Sequence, residues 1–397
     1  MVQHQLKKWK WQKMLSFLLL FMITANVLNA QISGTVFRDF DANGIKASTT
    51  STSLEPGVSG VTVKAYPSSG AVQTTTTNAS GAYSFSGLTL PARIEFTNLP
   101  SGNYTGPQGS GSATTVQFYS AATSNANLGI NNPSHYSQAN PFLVTPKYLN
   151  GNPFNDLGGN IANEDALYMY PFGATGDRQS GGTSATVLAT QAQIGSTWGT
   201  AYSSQRKKLF VASVYKRHSP LGPGETGGRI YVIDNPTGTP STPTKFIDLV
   251  TDLGISVGAT ETNSARSLAT NKFNSSSDDN AFSKVGKVGL GDLDVSDDGQ
   301  FLFVTNLHDK RIYKINIAQV IAGTPNATAL PSFTIPSCPS GEARPWGMGM
   351  WDGELYAGVI CDASSGSRND LRGYVQKFNF TSNTWTTVLT FTPTWLK

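Results

Sequence analysis

Short runs of alternating apolar and polar residues, separated by Gly, Pro, Ser and Asn, recur along most of this chain. In its first third they are ISGTVF (32–37), GVTVKAY (60–66), GAYSFSGL (81–88), ARIEFTNL (92–99) and TTVQFYS (114–120). Alternation aligns these sets of side chains, each on one strand face: Val61, Val63 and Ala65; Tyr83 and Phe85; Ile94 and Phe96; Val116 and Phe118. Strands at this spacing predict a two-sheet sandwich.

A weak internal repeat follows from about residue 190. Its three copies begin TWGTAYSSQRKKLFVASVY, GLGDLDVSDDGQFLFVTNLHDKRIYKINI and RPWGMGMWDGELYAGVIC, and the first and third continue after a loop as GGRIYVID and LRGYVQKFNF. Equivalent positions are occupied by Leu209, Leu302 and Leu355, and by Ile230, Ile312 and Val375. Each copy predicts a strand, a polar turn, an apolar strand, a loop and an amphipathic strand, which is the pattern of β-propeller blades.

The predicted fold class is therefore all-β, which agrees with 40 Gly, 21 Pro and only 14% charged residues. We expect a first domain over 31–130, lead-in strands or a linker over 131–190, and a propeller-like region over 191–397. Three blades do not close a ring, since propellers generally use four to eight. Either the chain is a fragment of a longer protein, or residues 131–190 and 245–290 hold further strands that complete a smaller ring.

Residues 1–30 differ from the rest. They combine the basic segment HQLKKWKWQK, the apolar run MLSFLLLFMITANVL and a small residue, Ala30, before Gln31. This predicts a secretory signal peptide. The alternative is a membrane anchor, although the apolar run is shorter than the roughly 20 residues that span a bilayer.

Cleavage after Ala30 would remove four lysines and no acidic residue, so the formal charge would fall from +4 to 4 − 4 = 0. The mature chain then has no cationic patch that would suggest nucleic acid or anionic lipid as a partner. We expect a secreted or cell-surface protein with no transmembrane span after cleavage.

Cys338 and Cys361 are the two cysteines of the chain. An oxidising compartment favours one disulfide between them. The alternative is a pair of separate buried thiols. Zinc binding has no support, because there is no C-x-x-C motif and no histidine cluster.

The motif order GTVFRDFDANGI, EPGVSGVTVKAY and TTTTNASGAYSFSGL resembles the B-type repeat of serine-aspartate repeat surface adhesins, the SdrD B-like domain. It is similar more broadly to collagen-adhesin B-type modules. The resemblance covers about the first 100 mature residues and implies an immunoglobulin-like sandwich that binds calcium and spaces other domains from the cell surface. Residues 190–397 resemble, more weakly, the irregular propellers that follow such modules in secreted bacterial surface proteins of the Bacteroidetes type.

The segment FRDFDANGI begins like a calcium loop, with Asp39, Asp41 and Asn43 at positions one, three and five and Gly44 at position six. Ile45, at position seven, would offer its carbonyl oxygen. The pattern then breaks at Ala47 and Thr50, and the run ASTTSTSL separates it from Glu55, the acidic residue that the resemblance assigns as the closing ligand.

Two interpretations of this loop stay open. Glu55 folds back and completes a weak calcium site, since a longer loop raises the closure cost only slowly. Otherwise the segment is a turn held by hydrogen bonds from the Asp and Asn side chains.

Other motifs give weaker functional predictions. GPGETG (222–227) fits a dinucleotide-loop pattern but opens no predicted helix, and WDG (351–353) indicates a turn. Asp292 and Asp294 share a strand face and could in principle act as paired catalytic carboxylates, whereas Asp297 and Asp298 fit a hairpin turn.

The remaining candidates are scattered residues. His135, His218 and His308 form no metal motif, and no nucleophile elbow supports serine hydrolase chemistry. Trp198, Trp346 and Trp351 could stack on sugars, although aromatic residues at blade starts usually belong to the core.

The sequence therefore predicts a secreted, non-enzymatic surface protein. Its first domain would be a calcium-stabilised spacer, and its second would present a surface to an extracellular protein or glycan. The alternative is a secreted propeller enzyme, such as a glycan hydrolase or lyase, that carries the first domain as an accessory.

Overall fold

The computed structural model describes residues 30–40, 42–46, 55–107, 114–135, 138–176, 182, 185–323, 330–351 and 353–393. The described residues divide into two compact units, with the boundary between Ser134 and His135. Residues 1–29, which carry most of the predicted signal peptide, lie outside the described residues.

The first unit is a two-sheet β-sandwich of the immunoglobulin-like class. Its described strands are β1 (Ala30–Arg38), β2 (Thr62–Pro67), β3 (Gln73–Thr76), β4 (Ala82–Leu88), β5 (Ala92–Thr97), β6 (Tyr104–Thr105), β7 (Val116–Tyr119) and β8 (Leu128–Asn131). One sheet has the order β4-β1-β8-β6 and the other β3-β2-β5-β7. β1 pairs antiparallel with β4 and parallel with β8.

Alternation along the strands forms the core between these two sheets. Val61, Val63 and Ala65 are fully buried, and so is Ile94, while Tyr83, Phe85 and Phe96 are nearly so. These side chains belong to one apolar cluster with Ile32, Val36 and residues of β8. The Tyr83 hydroxyl donates to the Ala126 carbonyl at 2.6 Å, which satisfies the one polar group that the ring brings inside.

On strand β7 the side chain that faces the core is Gln117, and not the two apolar side chains that alternation aligns. Val116 and Phe118 do share a face, but that face is exposed, and Gln117 points inward instead. The Gln117 amide donates to the carbonyls of Thr114 and Asn127. Among the described strands β7 pairs only with β5, so its register is set at a sheet edge, where a buried amide with two acceptors replaces an apolar contact.

The second unit consists of consecutive antiparallel sheets. Its described strands are β9 (Phe142–Pro146), β10 (Asp165–Pro171), β11 (Thr186–Thr190), β12 (Thr197–Ser203), β13 (Lys208–Ser213), β14 (Arg229–Asp234), β15 (Thr244–Asp248), β16 (Leu290–Val295), β17 (Phe301–Asn306), β18 (Arg311–Asn316), β19 (Ser332–Thr334), β20 (Ala343–Trp351), β21 (Glu354–Cys361), β22 (Arg372–Asn379) and β23 (Thr384–Phe391). Two short helices, α1 (Gln191–Ile194) and α2 (Ile317–Ile321), and the 3-10 turns Pro133–His135, Asp279–Ala281 and Arg368–Asp370 complete the described elements of the chain.

These strands form a three-stranded first sheet, β9–β11, and three four-stranded sheets, β12–β15, β16–β19 and β20–β23, each paired in chain order. We call them the first to fourth sheets. Residues 131–190, expected as a lead-in, thus contribute a sheet of their own to the second unit. The structured part of the chain does not close these sheets into a ring.

The register of the three four-stranded sheets matches the sequence repeat position by position. Ile230, Ile312 and Val375 each lie opposite the residue three positions after Leu209, Leu302 and Leu355, respectively. Each first strand also carries a bulge at the same place, formed by Trp198–Gly199, Gly291–Asp292 and Trp346–Gly347. A bulge repeated at one register shows that the copies share backbone geometry as well as residue pattern.

Apolar clusters fill the spaces between successive sheets. Leu209 and Val211 pack toward the first sheet, Leu302 and Val304 toward the second, and Leu355 and Ala357 toward the third. The opposite faces of the second and third sheets, with Phe210 and Phe303, pack toward the sheet that follows. Each of these two sheets is therefore apolar on both sides.

Substitution of Leu302 tests this packing. Leu302 is fully buried between the second and third sheets, so Leu302→Ala should lower the free energy of unfolding by about 2–5 kcal/mol. Urea denaturation followed by tryptophan fluorescence reports this unit, because every tryptophan after residue 30 lies between 198 and 395. Leu157→Ala is the matched control, since Leu157 is exposed and should change stability by less than about 0.5 kcal/mol. Equal effects of the two changes would contradict the inter-sheet core.

Candidate functional sites

The segment after β1 folds into a tight loop around the side chain of Asp39. Its two carboxylate oxygens accept hydrogen bonds from the backbone N–H groups of Asn43, at 3.1 Å, and Gly44, at 3.0 Å. The Asn43 side-chain oxygen accepts from the N–H of Ile45 at 2.6 Å. Gly44 has a φ of +70°, a conformation that glycine adopts without steric cost. Asp41 lies outside the described residues.

Glu55 returns to this loop despite the eight residues that separate it from Lys46. Only 4% of Glu55 is exposed, and one of its carboxylate oxygens accepts from the Phe40 N–H at 3.2 Å. The next residue, Pro56, accepts from the Arg38 N–H through its carbonyl at 3.0 Å. The described chain after the inserted run is therefore tied to the end of β1.

Asp39 is buried against the backbone of two glycines. It is 1% exposed, and its own N–H donates to the Ile130 carbonyl at 2.9 Å. A Cβ atom added at Gly106 would lie 2.8 Å from a carboxylate oxygen of Asp39, and one at Gly129 would lie 3.1 Å from its Cβ atom. Larger residues at 106 and 129 would compete with the carboxylate for this space.

The residue types in this loop fit a calcium ion. Two carboxylates that are almost fully buried lie beside one backbone segment, and hard oxygen donors are the ligands that calcium takes. Asp39, Asp41, Asn43, Glu55 and the Ile45 carbonyl stay the predicted ligands. Within the described ranges, which leave out Asp41, no three His, Cys, Asp or Glu residues cluster as a metal site.

The carboxylates of β16 bind backbone of the neighbouring sheet. Asp292 accepts from the Met348 N–H at 3.2 Å, and Asp294 accepts from the Met350 N–H at 2.7 Å. Each also accepts from the N–H of the residue that follows it. These hydrogen bonds join β16 to β20 across the gap between the third and fourth sheets, which is a structural role for the pair.

The turn after β16 extends the same contact. Asp297 accepts from the Gly353 N–H at 3.0 Å, while Asp298 accepts from the Gln300 N–H and the Ser296 hydroxyl. The turn expected at Asp297 and Asp298 is therefore present, and Asp297 also reaches the fourth sheet.

Burial raises the pKa of two of these carboxyls, those of Asp292 and Asp294. Desolvation raises the pKa of the Asp294 carboxyl to about 6, and the nearby charges of Asp292 and Asp297 add to the rise. The N–H groups of Met350 and Val295 oppose it. Desolvation also raises the pKa of Asp292.

A polar network that the sequence did not predict orders the long loops of the second unit. Arg266 is fully buried and donates two hydrogen bonds, at 3.0 and 2.7 Å, to the carboxylate of Asp278. It also donates to the carbonyls of Lys216 and Ser219, and its guanidinium lies 4.5 Å from the ring centre of Tyr215. No spacing rule links an isolated Arg to an Asp twelve residues later in an irregular loop.

Further side chains interlock the loops 150–164, 215–228 and 249–289. Asn263 exchanges two hydrogen bonds with the backbone of Leu221, and the Asn150 amide donates to the carbonyls of Lys272 and Asn274. Glu261 accepts from the Tyr215 hydroxyl and from Lys284. The segment 222–227 lies in this network between β13 and β14 and opens no helix.

Aromatic side chains accompany the bulges of the first strands. The rings of Trp198 and Trp346 meet edge to face, with centroids 5.5 Å apart. The bulge of the intervening strand, β16, carries Gly291 at the equivalent position. Trp198 is partly exposed, and 73% of Trp351 is exposed, at the turn between β20 and β21.

The remaining predicted residues are placed as follows. His218 and His308 lie in separate turns, where their backbone N–H groups donate to Asp278 and Asn306. The side chain of His135 is outside the described part. Cys338 and Cys361 form a disulfide with a Cα–Cα distance of 5.6 Å.

Comparison with known proteins bears first on the sandwich. Residues 30–135 match the SdrD B-like domain family. This match confirms the resemblance seen in the aspartate-rich loop, the EPGV segment and the GAYSF strand. The resemblance of the second unit to propellers stays a prediction.

Two relatives from Dictyostelium discoideum extend the similarity over most of the chain. Colossin-B is 27% identical over 84% of this chain and 8% of its own length, and Colossin-C is 27% identical over 92% of this chain and 35% of its own length. The chain thus spans only about a third or less of these relatives. A chain of the Nidogen/Laminin complex aligns with a TM-score of 0.34 and 9% identity over 63% of this chain and 62% of that one, which is too distant to support a functional argument.

In the parts of the chain with described structure, no helix has the length and apolar character needed to cross a membrane.

The pKa of Asp294 predicts a pH dependence of stability. Its native pKa of about 6 lies above the unfolded value of about 3.9, so the folded state binds more protons between these values. The free energy of unfolding should therefore lose this contribution as pH rises from about 4 to above 6. Asp294→Asn keeps an acceptor for the Met350 N–H but does not titrate, so the variant should gain stability relative to the unchanged protein as pH rises.

Urea denaturation at several pH values measures this difference. Asp279→Asn, which makes the same chemical change at an exposed aspartate, is the control for the substitution itself. If the difference in unfolding free energy between Asp294→Asn and the unchanged protein did not vary with pH, the raised pKa of Asp294 would be contradicted.

Proposed function

We propose that the chain is a secreted or cell-surface, non-enzymatic protein. Its SdrD B-like domain would act as a calcium-stabilised spacer, and its second unit would present a propeller-like surface to an extracellular protein or glycan. The observation that carries the calcium part is the pair of nearly buried carboxylates, Asp39 and Glu55, at one loop of the matched domain.

Calcium would change the energetics of this loop. Two carboxylates removed from water repel each other and lose hydration, and a divalent cation between oxygen donors offsets both costs. Asp39, Asp41, Asn43, Glu55 and the Ile45 carbonyl are the proposed ligands. The hydrogen bonds from Asn43 and Gly44 to Asp39 hold the loop closed and so reduce the ordering cost of binding.

The proposal of a binding rather than catalytic second unit rests on what its acidic residues contact. Asp292 and Asp294, the carboxylates considered for catalysis, accept hydrogen bonds from β20 and so are occupied in joining two sheets. The interlocked loops around Arg266 offer a preorganised polar surface at the end of the strands opposite the β20–β21 turn that carries the exposed ring of Trp351. Such a surface suits recognition of a protein or a glycan.

Thermal unfolding of the first unit with and without calcium tests the spacer role. For an extracellular-range dissociation constant of roughly 10⁻⁴ to 10⁻³ M, about 10 mM calcium should add about 1.4–2.7 kcal/mol of stability. For a domain of this size that corresponds to a rise in Tm of about 5 °C or more, reversed by a chelator. Asp39→Asn should abolish the rise.

Asp156→Asn is the matched control for this experiment. Asp156 also accepts backbone hydrogen bonds through its carboxylate, from Asn160, Ile161 and Ala162, but it lies in the second unit. This variant should keep the calcium-dependent rise in the Tm of the first unit. Identical melts with calcium and chelator would leave the loop as a turn held by its own hydrogen bonds.

A further inference from the structure

The fourth sheet repeats an apolar face that is covered in the sheets before it. We define the forward face of a sheet as the side that packs on the next sheet along the chain, and the backward face as the opposite side. The forward-face positions are Phe210, Ala212, Ile230 and Ile247 in the second sheet, and Phe303, Thr305, Ile312 and Phe333 in the third. The equivalent residues of the fourth sheet are Tyr356, Gly358, Val375 and Leu389.

Burial differs sharply between these equivalent positions. Ile230 and Ile312 are fully buried, as are Phe210 and Phe303, because another sheet covers them. In the fourth sheet, Tyr356, Gly358 and Val375 are half-buried and 52% of Leu389 is exposed, and the neighbouring Phe391 and Ile360 are exposed as well. The same residue pattern is therefore uncovered at this end of the row of sheets.

The first strand of the fourth sheet also has room for a neighbour. A Cβ atom at Gly199 of β12 would lie 2.6 Å from the Leu293 nitrogen, since β16 approaches the backbone of β12 closely there. The equivalent glycine of β20 is Gly347, where a Cβ atom would meet only the Asp292 carboxylate, at 3.8 Å. At Gly349, two residues on, the Asp294 carboxylate at 3.8 Å is likewise the sole contact.

The first sheet leaves the complementary, backward face uncovered. Met169 and Leu188 point toward the second sheet, so Leu143, Tyr168, Tyr170 and Val187 point the other way. Leu143 and Val187 are exposed. A cavity of about 480 Å³ lies against this face, lined in part by both tyrosines and by Lys147.

We propose that a second copy of this chain covers these two end faces, with the forward face of the fourth sheet packing on the backward face of the first sheet of the other copy. Within the unit, inter-sheet packing runs from first to second, second to third and third to fourth sheet, always forward face on backward face. The two exposed faces would be the partners in the next such contact, and the described strands of the first and fourth sheets do not pack on each other within one chain. The assembly continues the interface already present between the sheets.

This contact is heterologous, because it joins two different surfaces. Two copies can close it in a ring with two identical contacts, or successive copies can extend it. It is independent of calcium and of the proposed function of the first unit. The assembly would carry several copies of the surface that the second unit presents.

The oligomeric state of the unchanged protein is the first test. Light scattering after size-exclusion chromatography, at concentrations up to roughly 100 µM, detects a contact of micromolar dissociation constant. The expected result is a mass about twofold that of the chain, or higher multiples, that falls on dilution. A monomer over the whole range would overturn the proposal and assign the exposed face to a sheet from another polypeptide segment.

Paired variants test which faces meet. Val375→Lys with Leu389→Lys changes the forward face of the fourth sheet, and Leu143→Lys with Val187→Lys changes the backward face of the first sheet. Each double variant alone should be monomeric, because every possible contact then includes a changed face. An equimolar mixture of the two should recover a twofold mass, since one unchanged forward face can meet one unchanged backward face.

Two controls separate loss of contact from loss of fold. Val72→Lys makes the same chemical change at an exposed position of the first unit and should leave the mass of the assembly unchanged. Tryptophan fluorescence melts should show that each double variant keeps a cooperative transition. Dimers that survive both double variants, or monomers that the mixture fails to rescue, would overturn the heterologous contact.

Discussion

Each sheet at the centre of the second unit has two apolar faces, and the need to remove both from water is the constraint on which that unit depends. Leu302 and Phe303 are neighbours in sequence, yet they serve two different interfaces because strand side chains alternate. One six-residue strand thus links its sheet to those on both sides. The carboxylates of Asp292 and Asp294 add directional hydrogen bonds to this packing, since they accept from backbone N–H groups of β20.

In the first unit, burial also fixes the positions of two carboxylate side chains. Its apolar core closes around a conventional sandwich, while the loop after β1 draws the carboxylates of Asp39 and Glu55 out of solvent. Backbone N–H groups compensate this burial in part. A cation coordinated by these oxygen atoms would stabilise the domain under our proposal, and this would link the loop to the proposed role as a spacer.

The alternation of apolar and polar residues predicts the buried side chains correctly where a strand of the sandwich has its apolar face against the opposite sheet. Alternation alone places Val61, Val63 and Ala65 on one strand face, and that face is buried, while the equivalence of Leu209, Leu302 and Leu355 reappears in the register. Pattern failed at β7, where alternation gives two possible faces and the edge position puts Gln117 inside. It also gave no signal for Arg266 and Asp278, because their pairing depends on the path of an irregular loop.

The sequence by itself determined the all-β class, the two-part organisation, the repeat and the residues of the aspartate-rich loop, because strand period and turn chemistry are local properties of the chain. Only the tertiary structure decided that Glu55 returns to the backbone of Phe40 across an inserted run, that Asp292 and Asp294 bind a neighbouring strand, and that residues 142–190 form a sheet. These features join residues far apart in the chain. Their formation depends on which surfaces meet after folding, and no local period encodes that.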